Sequence, residues 1–399
     1  MRGVALSFTE ARRLVIETVR ASRCPAPVEE VSLLEAAGRV LAEPLVADRD
    51  YPPVARSIRD GFAVRSSDVP GELRVAGEVR AGTRFEEALR PGEAVEIMTG
   101  APVPDGADAV VMVEHAKRLG DRVRIERRVE PGQFINPQGG EARQGDVLLR
   151  PGIRLGFAQI ALAATVGRAR LRVFARPRVA ILATGDEVVP VEATPRPFEV
   201  RNSNAYSLAV QVARAGGVPE IMPVAKDNRE DTRRLIAACL RMDLLLLSGG
   251  VSAGKYDVVE RALASLGAEF YFDRVLIQPG QPLVFGRVQG VFFFGLPGNP
   301  ASTMVTFELF ARAAVELLAG LEEPELPVLQ ARLAENFRHK PGLTRFLPAR
   351  LSNDGTELRL IPWRGSSDVP AMARANAWLV ADADRECWKA GELIAVVVP

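Results

Sequence analysis

One short stretch of the chain, LLLLSGGVSAGKYDVVE at residues 244–260, has residue types and a spacing that suit phosphate binding. Four leucines predict a buried strand, and the last residues can begin a helix. Between them, Gly249, Gly254 and Lys255 fit the pattern G-x-x-x-x-G-K of nucleotide hydrolases, which continues with Ser or Thr because that hydroxyl holds magnesium. Here the next residue is Tyr256, whose rigid ring cannot bring its hydroxyl to the same place. The stretch is therefore a broken phosphate loop, an ordinary strand-to-helix turn or a different anion site.

Glycine-bearing loops follow three apolar strands: TGDE at 184–187, SGGVSAGKYD at 248–257 and GLPGNPAS at 295–302. From Pro177 onward, strands alternate with helical patterns, which predicts a mainly parallel sheet covered on both faces. Ligands bind at the edge of such a sheet where the loops after the strands gather, and helix N-termini there favour anions. We expect an anion site, in which Lys255 either contacts phosphate or reaches solvent. Its backbone and hydroxyl candidates are Ser248, Gly249, Gly250, Ser252, Gly254, Gly295, Gly298 and Ser302.

Four acids, Asp186, Glu187, Asp227 and Asp257, lie in or just after these predicted strand ends. Carboxylates repel a bound phosphate unless a cation lies between them. Magnesium prefers one or two carboxylates together with phosphate oxygens and waters. Glu187, Asp227 and Asp257 therefore predict a magnesium–phosphate site. The alternative is that Asp257 caps the following helix and Glu187 faces solvent.

Length and composition exclude several classes of protein. A chain of 399 residues predicts two to four domains. A net charge of +1 gives no bulk attraction for nucleic acid or an anionic membrane, and no apolar run is long enough to span a bilayer. The cysteines Cys24, Cys239 and Cys387 are too scattered for a zinc site or a disulfide framework, which favours a cytoplasmic protein. The N-terminus lacks a signal-peptide core and predicts a helix opened by a Ser7–Glu10 capping box.

The hydrophobic patterns divide the chain into zones. A second helix is predicted around Val31–Ala42, and residues 301–320 predict a long amphipathic helix. Leu244–Leu247 and Phe292–Phe294 are predicted core. The proposed domains are a helical linking domain, 1–47 with 141–176; an inserted β domain, 48–140; an α/β domain, 177–325; and a C-terminal β domain, 326–399.

Six motifs resemble, in order, those of the MoeA-type molybdopterin molybdenumtransferase family, to which the C-terminal domain of gephyrin also belongs. They are SIRDGFAVR, AVEIMTGAPVPDGADAVVMVE, VAILATGDEV, RNSNAYSLA, LSGGVSAGKYD and GLPGNPAS. The resemblance implies a multidomain fold. It consists of a central three-layer α/β/α molybdopterin-binding domain with a mainly parallel sheet, an inserted β domain, a helical linking domain and a C-terminal β-barrel-like domain.

The resemblance also implies an activity. Family members take adenylylated molybdopterin and molybdate, use magnesium, release AMP and leave molybdenum on the dithiolene sulfurs. It implies a homodimer and, as a delivery partner, the molybdopterin adenylyltransferase. The preference for molybdate over tungstate is left open.

Single residues are carried over where they match family motifs. Asp60 matches a functional acid of the inserted domain, and Glu187, Asp227 and Asp257 match acids of the α/β domain. The residues that the resemblance adds as substrate-binding candidates are Thr99, Thr184, Gly185, Asn202, Pro297, Pro300 and Ser366.

Three departures from the family pattern affect charge. Gly139-Gly140-Glu141 replaces G-E-D, and Arg59 precedes Asp60 where the family often has Met. The family's K-P-G-K-P is Gln278-Pro279-Gly280-Gln281-Pro282 here, so two cations are replaced by neutral amides. Either arginines such as Arg59, Arg274 or Arg345 replace the charge, or oxyanion use is weakened or altered.

Three other classes of protein remain as alternatives. A kinase or ATPase is disfavoured by Tyr256. A molybdopterin adenylyltransferase shares the α/β domain but leaves the inserted and C-terminal domains unexplained. A non-catalytic scaffold predicts degraded acids, whereas Asp60, Asp186, Glu187, Asp227 and Asp257 are all present.

Overall fold

A computed structural model describes residues 5–22, 26–249 and 256–399, and side chains from residue 258 onward after the second gap. The chain forms two compact units. The larger unit contains Met1–Ala42, Gly152–Gly156 and Leu171–Pro399, and the smaller unit contains Glu43–Pro151 and Phe157–Arg170. The finer division into four domains stays a prediction.

The larger unit is built around a six-stranded sheet. In the strand order given at the end of this paragraph, the first four strands run parallel to one another. The fifth and the sixth each pair antiparallel with the strand before them in that order. Helices Ser203–Ala215, Arg229–Cys239 and Tyr256–Ser265 alternate with the strands, as the sequence predicts. The order of the strands is Val218–Ile221, Arg178–Ala183, Leu244–Ser248, Val291–Leu296, Val284–Val288 and Glu269–Phe272.

Side chains alternate between two apolar layers along each central strand, because successive residues of a strand point to opposite faces. Val179 and Ile181 pack with Leu244, Leu246 and Phe294 on one face. On the other face, Ala180, Leu182, Leu245, Leu247 and Phe293 pack with the helices Arg229–Cys239 and Tyr256–Ser265. Both apolar runs predicted as core are thus confirmed. Burying each of these large side chains stabilises the fold by roughly 1.5–3 kcal/mol.

The helical segment after the last parallel strand is buried on nearly all sides, so the prediction of an amphipathic helix is wrong. It comprises Pro300–Thr306, a π-helical turn Phe307–Ala311, and Arg312–Leu318. The N-terminal helix Phe8–Ser22 and the helix Ser203–Ala215 both pack on it. Tertiary packing therefore covers the face that a surface helix would expose to water.

Buried ions cross this helix in an i, i+4 ladder. The Arg312 guanidinium lies 2.6 Å from Glu308 Oε1 and 2.9 Å from Glu316 Oε1. Arg154 approaches Glu316 at 3.5 Å, and the backbone amide of Glu325 donates to its other oxygen at 3.2 Å. Burial raises the pKa of Glu316, and Arg312 and Arg154 oppose that shift. The ladder ties the helix to segments distant in sequence.

A closed five-stranded barrel forms the C-terminal part of the larger unit. The strand Ile277–Gln278 adds to its edge, parallel to Thr344–Leu351. A short helix, Val369–Arg374, precedes the fourth strand, and Phe337–Arg338 pairs with Cys387–Trp388. The barrel strands are Val328–Leu333, Thr344–Leu351, Glu357–Leu360, Ala377–Ala381 and Leu393–Val397.

Of the two predictions for the segment before the smaller unit, one is confirmed and one is wrong. The capping box is confirmed: Ser7 N donates to Glu10 Oε2 at 2.9 Å, and Glu10 N donates to Ser7 Oγ at 3.3 Å. The helix predicted at Val31–Ala42 is reduced to one turn, Leu33–Ala36, because Val28–Ser32 pairs as a strand with Arg170–Phe174.

The smaller unit is mainly β and carries one helix, Phe157–Thr165. Gly61 opens the second strand of its sheet so close to Val111 that a Cβ would lie 1.9 Å from the Val111 carbonyl oxygen, so only glycine fits. Leu45–Val46 pairs with Val147–Leu149, and Arg56–Ser57 with Ile135–Asn136. The sheet order is Ala109–Met112, Gly61–Val64, Glu93–Ile97, Gly71–Val79, Arg122–Ile125 and Ala116–Leu119.

Within the described residues, no helix combines the length and apolar character needed to cross a bilayer.

Replacing Glu316 by Ala should destabilise the larger unit strongly, because it leaves buried arginine charge with less compensation. We expect a loss of about 3–5 kcal/mol in the free energy of unfolding, measured by urea denaturation. The matched control is Glu357→Ala, which removes an exposed pair with Arg359 and should cost less than about 1 kcal/mol. Equal losses in the two variants would contradict the importance assigned to the buried ladder.

Candidate functional site

The carboxyl ends of three parallel strands lie level with one another. Ala183 is in register with Ser248, and Ser248 with Leu296. The Thr184 amide donates to the Ser248 carbonyl at 3.0 Å, and the Gly249 amide to the Leu296 carbonyl at 3.3 Å. The strand order reverses at Arg178–Ala183, which has the next strand of this sheet, Val218–Ile221, on one side and the following one, Leu244–Ser248, on the other. Ligands of open α/β sheets bind at such a reversal.

A cavity of about 600 Å³ opens at this edge. Its size suits a ligand as large as a nucleotide. Candidates from all three predicted loops contribute to it, so the prediction that these loops meet is confirmed within the described residues. The wall consists of Ala183, Thr184, Glu187, Val188, Val200, Arg201, Asn202, Ser203, Asn204, Ser248, Gly249, Pro282, Pro297, Gly298, Asn299, Pro300 and Ser367.

Close packing of backbone makes Gly249 obligatory in this wall. Its φ is +89°, and a Cβ there would lie 2.7 Å from the Thr184 carbonyl oxygen. A Cβ on Gly298 would come within 3.4 Å of the Gly249 Cα. The glycines therefore let three loops approach one another. The prediction that they let the backbone approach a ligand stays a prediction.

Asn204 joins two of these loops. Its Nδ2 donates to Ser248 Oγ at 2.9 Å and to the Gly298 carbonyl at 2.8 Å. Because that carbonyl can only accept, the amide nitrogen must face it, and Oδ1 points elsewhere. Among the described residues, the buried Asn204 Oδ1 and Thr184 Oγ1 have no hydrogen-bond partner. Each such buried atom costs about 1–3 kcal/mol of stability.

Two helices begin at the cavity. Ser203–Ala215 starts after Asn202, whose side chain caps Ala205 N at 3.2 Å, and the buried helical segment starts at Pro300. Their N-terminal ends carry partial positive charge and favour an anion.

Ser366 supports the cavity wall rather than lining it. Its hydroxyl lies 2.9 Å from Asn299 Nδ2, and its carbonyl accepts from Ala301 N at 2.9 Å. Its neighbour Ser367 lines the cavity. Ser302 is buried, and its carbonyl accepts from the Thr306 hydroxyl at 2.7 Å, so the prediction that its hydroxyl serves the cavity is not supported by its position.

The charged side chains of the described wall are Glu187 and Arg201. Gly185, with φ +138°, sits against the Glu187 carboxylate: an added Cβ would be 2.6 Å from Oε2. In the loop beside them, the Asp227 amide donates to Asp186 Oδ1 at 3.2 Å.

Three described acids lie at or beside this edge. Glu187 is in the wall, and the backbone amide of Asp227 donates to the Asp186 side chain in the neighbouring loop. Among the described residues, no group of three or more His, Cys, Asp or Glu side chains could hold a metal. The predicted magnesium site therefore stays a prediction.

Five candidates from the opening motif cannot be placed. Gly250, Ser252, Gly254 and Lys255 lie outside the described residues. Asp257 lies in the helix Tyr256–Ser265, but its side chain lies outside the description.

Asp60 and Thr99 belong to the smaller unit and contact each other. Asp60 Oδ1 accepts from the Thr99 amide at 2.6 Å and from its hydroxyl at 2.7 Å. These two hydrogen bonds hold the pKa of Asp60 below its ordinary value. Sequence reasoning named both residues but gave no sign that they touch.

Several wall residues were missed by sequence reasoning: Val188, Val200, Arg201, Ser203, Asn204, Pro282, Asn299 and Ser367. Asn204 had a usable signal, since it lies in the first turn of a helix capped by Asn202. Pro282 ends the Gln278–Pro282 segment already compared with the family motif, and Ser367 follows the named Ser366, so both lie beside residues that the sequence had singled out.

The parallel sheet, with glycine loops and helix N-termini around a cavity at the strand-order reversal, defines the class as an α/β protein with a ligand cavity at the edge of its sheet. Models of known protein families match three successive parts of the chain. The MoeA N-terminal region (domain I and II) matches residues 6–167, a probable molybdopterin binding domain matches 180–317, and the MoeA C-terminal region (domain IV) matches 330–398.

Individual relatives agree with these matches. The molybdopterin molybdenumtransferase of Staphylococcus epidermidis is 33% identical over 378 residues, covering 92% of this chain and 90% of that protein. The enzyme of that name from Nostoc sp. is 37% identical over 325 residues, covering 79% and 74%. A crystal structure of the molybdopterin biosynthesis MoeA protein from Pyrococcus horikoshii OT3 superposes with a TM-score of 0.82 at 29% identity, over 99% of this chain and all of that one. The chain belongs to the MoeA-type molybdopterin molybdenumtransferase family, a family of enzymes of molybdenum cofactor biosynthesis.

Replacing Thr99 by Val should raise the pKa of Asp60 part of the way to its ordinary value, because one of two hydrogen bonds to the carboxylate is lost. The pKa of Asp60 is lower in the folded than in the unfolded protein, so ionised Asp60 stabilises the smaller unit at pH values above the unfolded-state pKa. This stabilisation is lost as the pH falls below about 4. Carbon-13 NMR titration of labelled aspartates measures the shift. Thr83→Val is the control, because the Thr83 hydroxyl bonds only to Arg80 backbone atoms. An unchanged Asp60 pKa in Thr99→Val would contradict the assignment.

Proposed function

We propose that this protein cleaves adenylylated molybdopterin in the presence of molybdate, releases AMP and leaves molybdenum on the dithiolene sulfurs. Membership of the MoeA-type family places the protein in molybdenum cofactor biosynthesis. The observation that carries the substrate is the cavity at the strand-order reversal, whose wall combines two helix N-termini with Arg201.

The chemistry of the wall suits a pterin that bears phosphate. Ser203 and Asn299 line the cavity, and a hydroxyl and an amide can exchange hydrogen bonds with the N–H groups at the edge of a pterin. The helix N-termini at Ser203 and Pro300, together with Arg201, favour the phosphates at the other end of such a ligand.

The acids of this edge fit the magnesium part of the proposal. A bound magnesium ion would neutralise charge on the phosphoanhydride and orient the attacking oxygen. Glu187, Asp227 and Asp257 are the residues we propose to hold it. The Glu187 carboxylate lies beside Gly185, where a Cβ would come within 2.6 Å of Oε2.

The remaining parts of the proposal rest on the family resemblance. They are a homodimer, delivery of the substrate by the molybdopterin adenylyltransferase, and a functional contribution of Asp60 and Thr99 from the smaller unit. Molybdate is the proposed oxyanion substrate, and tungstate is the alternative.

The decisive experiment measures AMP release from adenylylated molybdopterin with magnesium, with and without molybdate. We expect the wild type to release AMP only with molybdate, and Glu187→Gln to lose at least about 1.4 kcal/mol of transition-state stabilisation, a tenfold lower rate. Glu199→Gln is the control, because that carboxylate is paired with Arg196 outside the cavity wall. Substrate binding without AMP release by the wild type would overturn the transferase proposal, and release driven only by tungstate would change the oxyanion.

Replacing Gly249 by Ala should weaken substrate binding, since a Cβ there collides with the Thr184 carbonyl. Gly267→Ala is the matched control, because Gly267 has a similar φ of +82° and open space around its Cβ position. Both variants should lose about 1–2 kcal/mol of stability from the left-handed backbone, but only Gly249→Ala should raise the substrate Kd. Calorimetry measures both quantities. Equal Kd values in the two variants would show that the close approach does not shape the site.

A further inference from the structure

A second cavity, of about 440 Å³, lies at the other edge of the six-stranded sheet, where its parallel strands begin. Arg178, Asp243 and Val291 line it, and each stands at or just before the start of a strand whose far end reaches the first cavity. The strand Arg178–Ala183 has six residues, so it places the two cavities roughly 17 Å apart. The described wall belongs entirely to the larger unit. A small ligand of one cavity therefore does not reach the other.

The buried part of this wall is apolar. Pro177, Met242 and Phe292 are buried, and Leu318, the last residue of the buried helical segment, also lines the cavity. The charged residues of the described wall are all exposed or half-buried. The cavity thus combines an apolar interior with charged outer residues. Such a combination suits a ligand that has an apolar body and a charged group.

The charge of these outer residues is positive. Three arginines, Arg176, Arg178 and Arg287, stand against one carboxylate, Asp243, in the described wall. Arg178 lies 3.1 Å from Glu220 Oε2. In the part of the chain that the structure describes, neither Arg176 nor Arg287 forms an ion pair within 4 Å. Two guanidinium groups therefore remain for an anionic ligand.

The guanidinium group of Arg287 is fixed over the apolar interior. Its Nε donates to the Gly290 carbonyl at 3.1 Å, and its Cζ lies 5.2 Å from the centroid of the Phe292 ring. Glu269 lies opposite Arg287 in the strand pair, but its carboxylate accepts from the Tyr271 hydroxyl, at 3.2 Å, instead of pairing with Arg287. Both terminal nitrogens of Arg287 lack a hydrogen-bond partner among the described residues. They can therefore donate to a ligand in the cavity.

We propose that the second cavity binds a phosphate monoester with an apolar body. Arg176 and Arg287 bind the phosphate, and Met242, Phe292 and Leu318 contact the body. Guanidinium groups bind phosphate oxygens through paired, charge-assisted hydrogen bonds. A phosphate monoester carries a charge of about −1.5 to −2 at pH 7, which matches two arginines, whereas a monocarboxylate compensates only one. The proposal is independent of the proposed function, because this site lies at the opposite edge of the sheet.

The test is calorimetric titration of the full chain with phenyl phosphate, which joins a phosphate to an apolar ring. We expect saturable binding by the wild type. Arg176→Gln and Arg287→Gln should each raise the Kd about tenfold, the scale of one lost charge-assisted hydrogen bond. Arg287→Lys should retain part of the affinity, since it keeps the charge but not the planar fork. The Arg176 side chain is exposed and has no partner among the described residues, so its replacement leaves the fold intact.

Replacing Asp243 by Asn should act in the opposite direction. The change removes the carboxylate charge of the described wall but keeps an oxygen for the Arg178 amide, which donates to Asp243 Oδ2 at 2.6 Å. The Kd for phenyl phosphate should fall, because the anion meets less repulsion. Damage to the structure would not tighten binding. An unchanged or raised Kd in Asp243→Asn would contradict the placement of the anion in this wall.

Two controls test the location of the bound anion. Arg233→Gln removes an exposed arginine outside both cavity walls, and Arg201→Gln removes the arginine of the first cavity. Neither change should alter the Kd for phenyl phosphate. The proposal is overturned if the wild type shows no saturable binding, or if Arg201→Gln alone weakens it, since the anion then occupies the first cavity. Equal weakening by Arg233→Gln and Arg176→Gln would show non-specific attraction and also overturn it.

Two further anions test the class of ligand. Inorganic phosphate has the charge without the apolar body, and benzoate has the body with a single charge. Both should bind at least about tenfold more weakly than phenyl phosphate. Inorganic phosphate that binds as tightly as phenyl phosphate would refute the role of the apolar interior. Benzoate that binds as tightly would refute the preference for phosphate, and either result would overturn the proposal.

Discussion

The alignment of three parallel strand ends is the constraint on which the rest of the site depends. Ala183, Ser248 and Leu296 are in register, so the loops after them emerge at one level and compete for the same space. Only a residue without a side chain can occupy the middle position, where Gly249 lies against the Thr184 carbonyl. The cavity lies where these loops meet, and two helices begin at its wall.

Burial behind the sheet gives this edge its rigidity. The helical segment that begins at Pro300 at the cavity continues through a π-turn into the core, where Arg312 bridges Glu308 and Glu316. The N-terminal helix covers the same segment. Such buried ions cost free energy to desolvate and are tolerated only when each is paired. The arrangement therefore links the residues of the cavity wall to the farthest ends of the larger unit.

The close packing of the cavity wall leaves two buried polar atoms without hydrogen bonds among the described residues. Thr184 and Asn204 are held firmly in the wall, yet one atom of each lacks a hydrogen bond among the described residues. Each such atom costs about 1–3 kcal/mol. Both atoms are buried beneath the wall, so the close approach of the loops is achieved at a cost in stability.

The sequence by itself determined the α/β pattern, the core runs at Leu244–Leu247 and Phe292–Phe294, the capping box at Ser7 and the three loops that form the cavity. These follow from local periodicity and from the special conformations of glycine, which residues close in the chain encode. Only the tertiary structure decided that the helical segment from Pro300 is buried all round, that Val28–Ser32 is a strand and that Ser367 lines the cavity while Ser366 supports it. Each of those outcomes depends on a partner hundreds of residues or several elements away. Local propensity amounts to a few tenths of a kcal/mol per residue, and burial or strand pairing with a distant segment exceeds it.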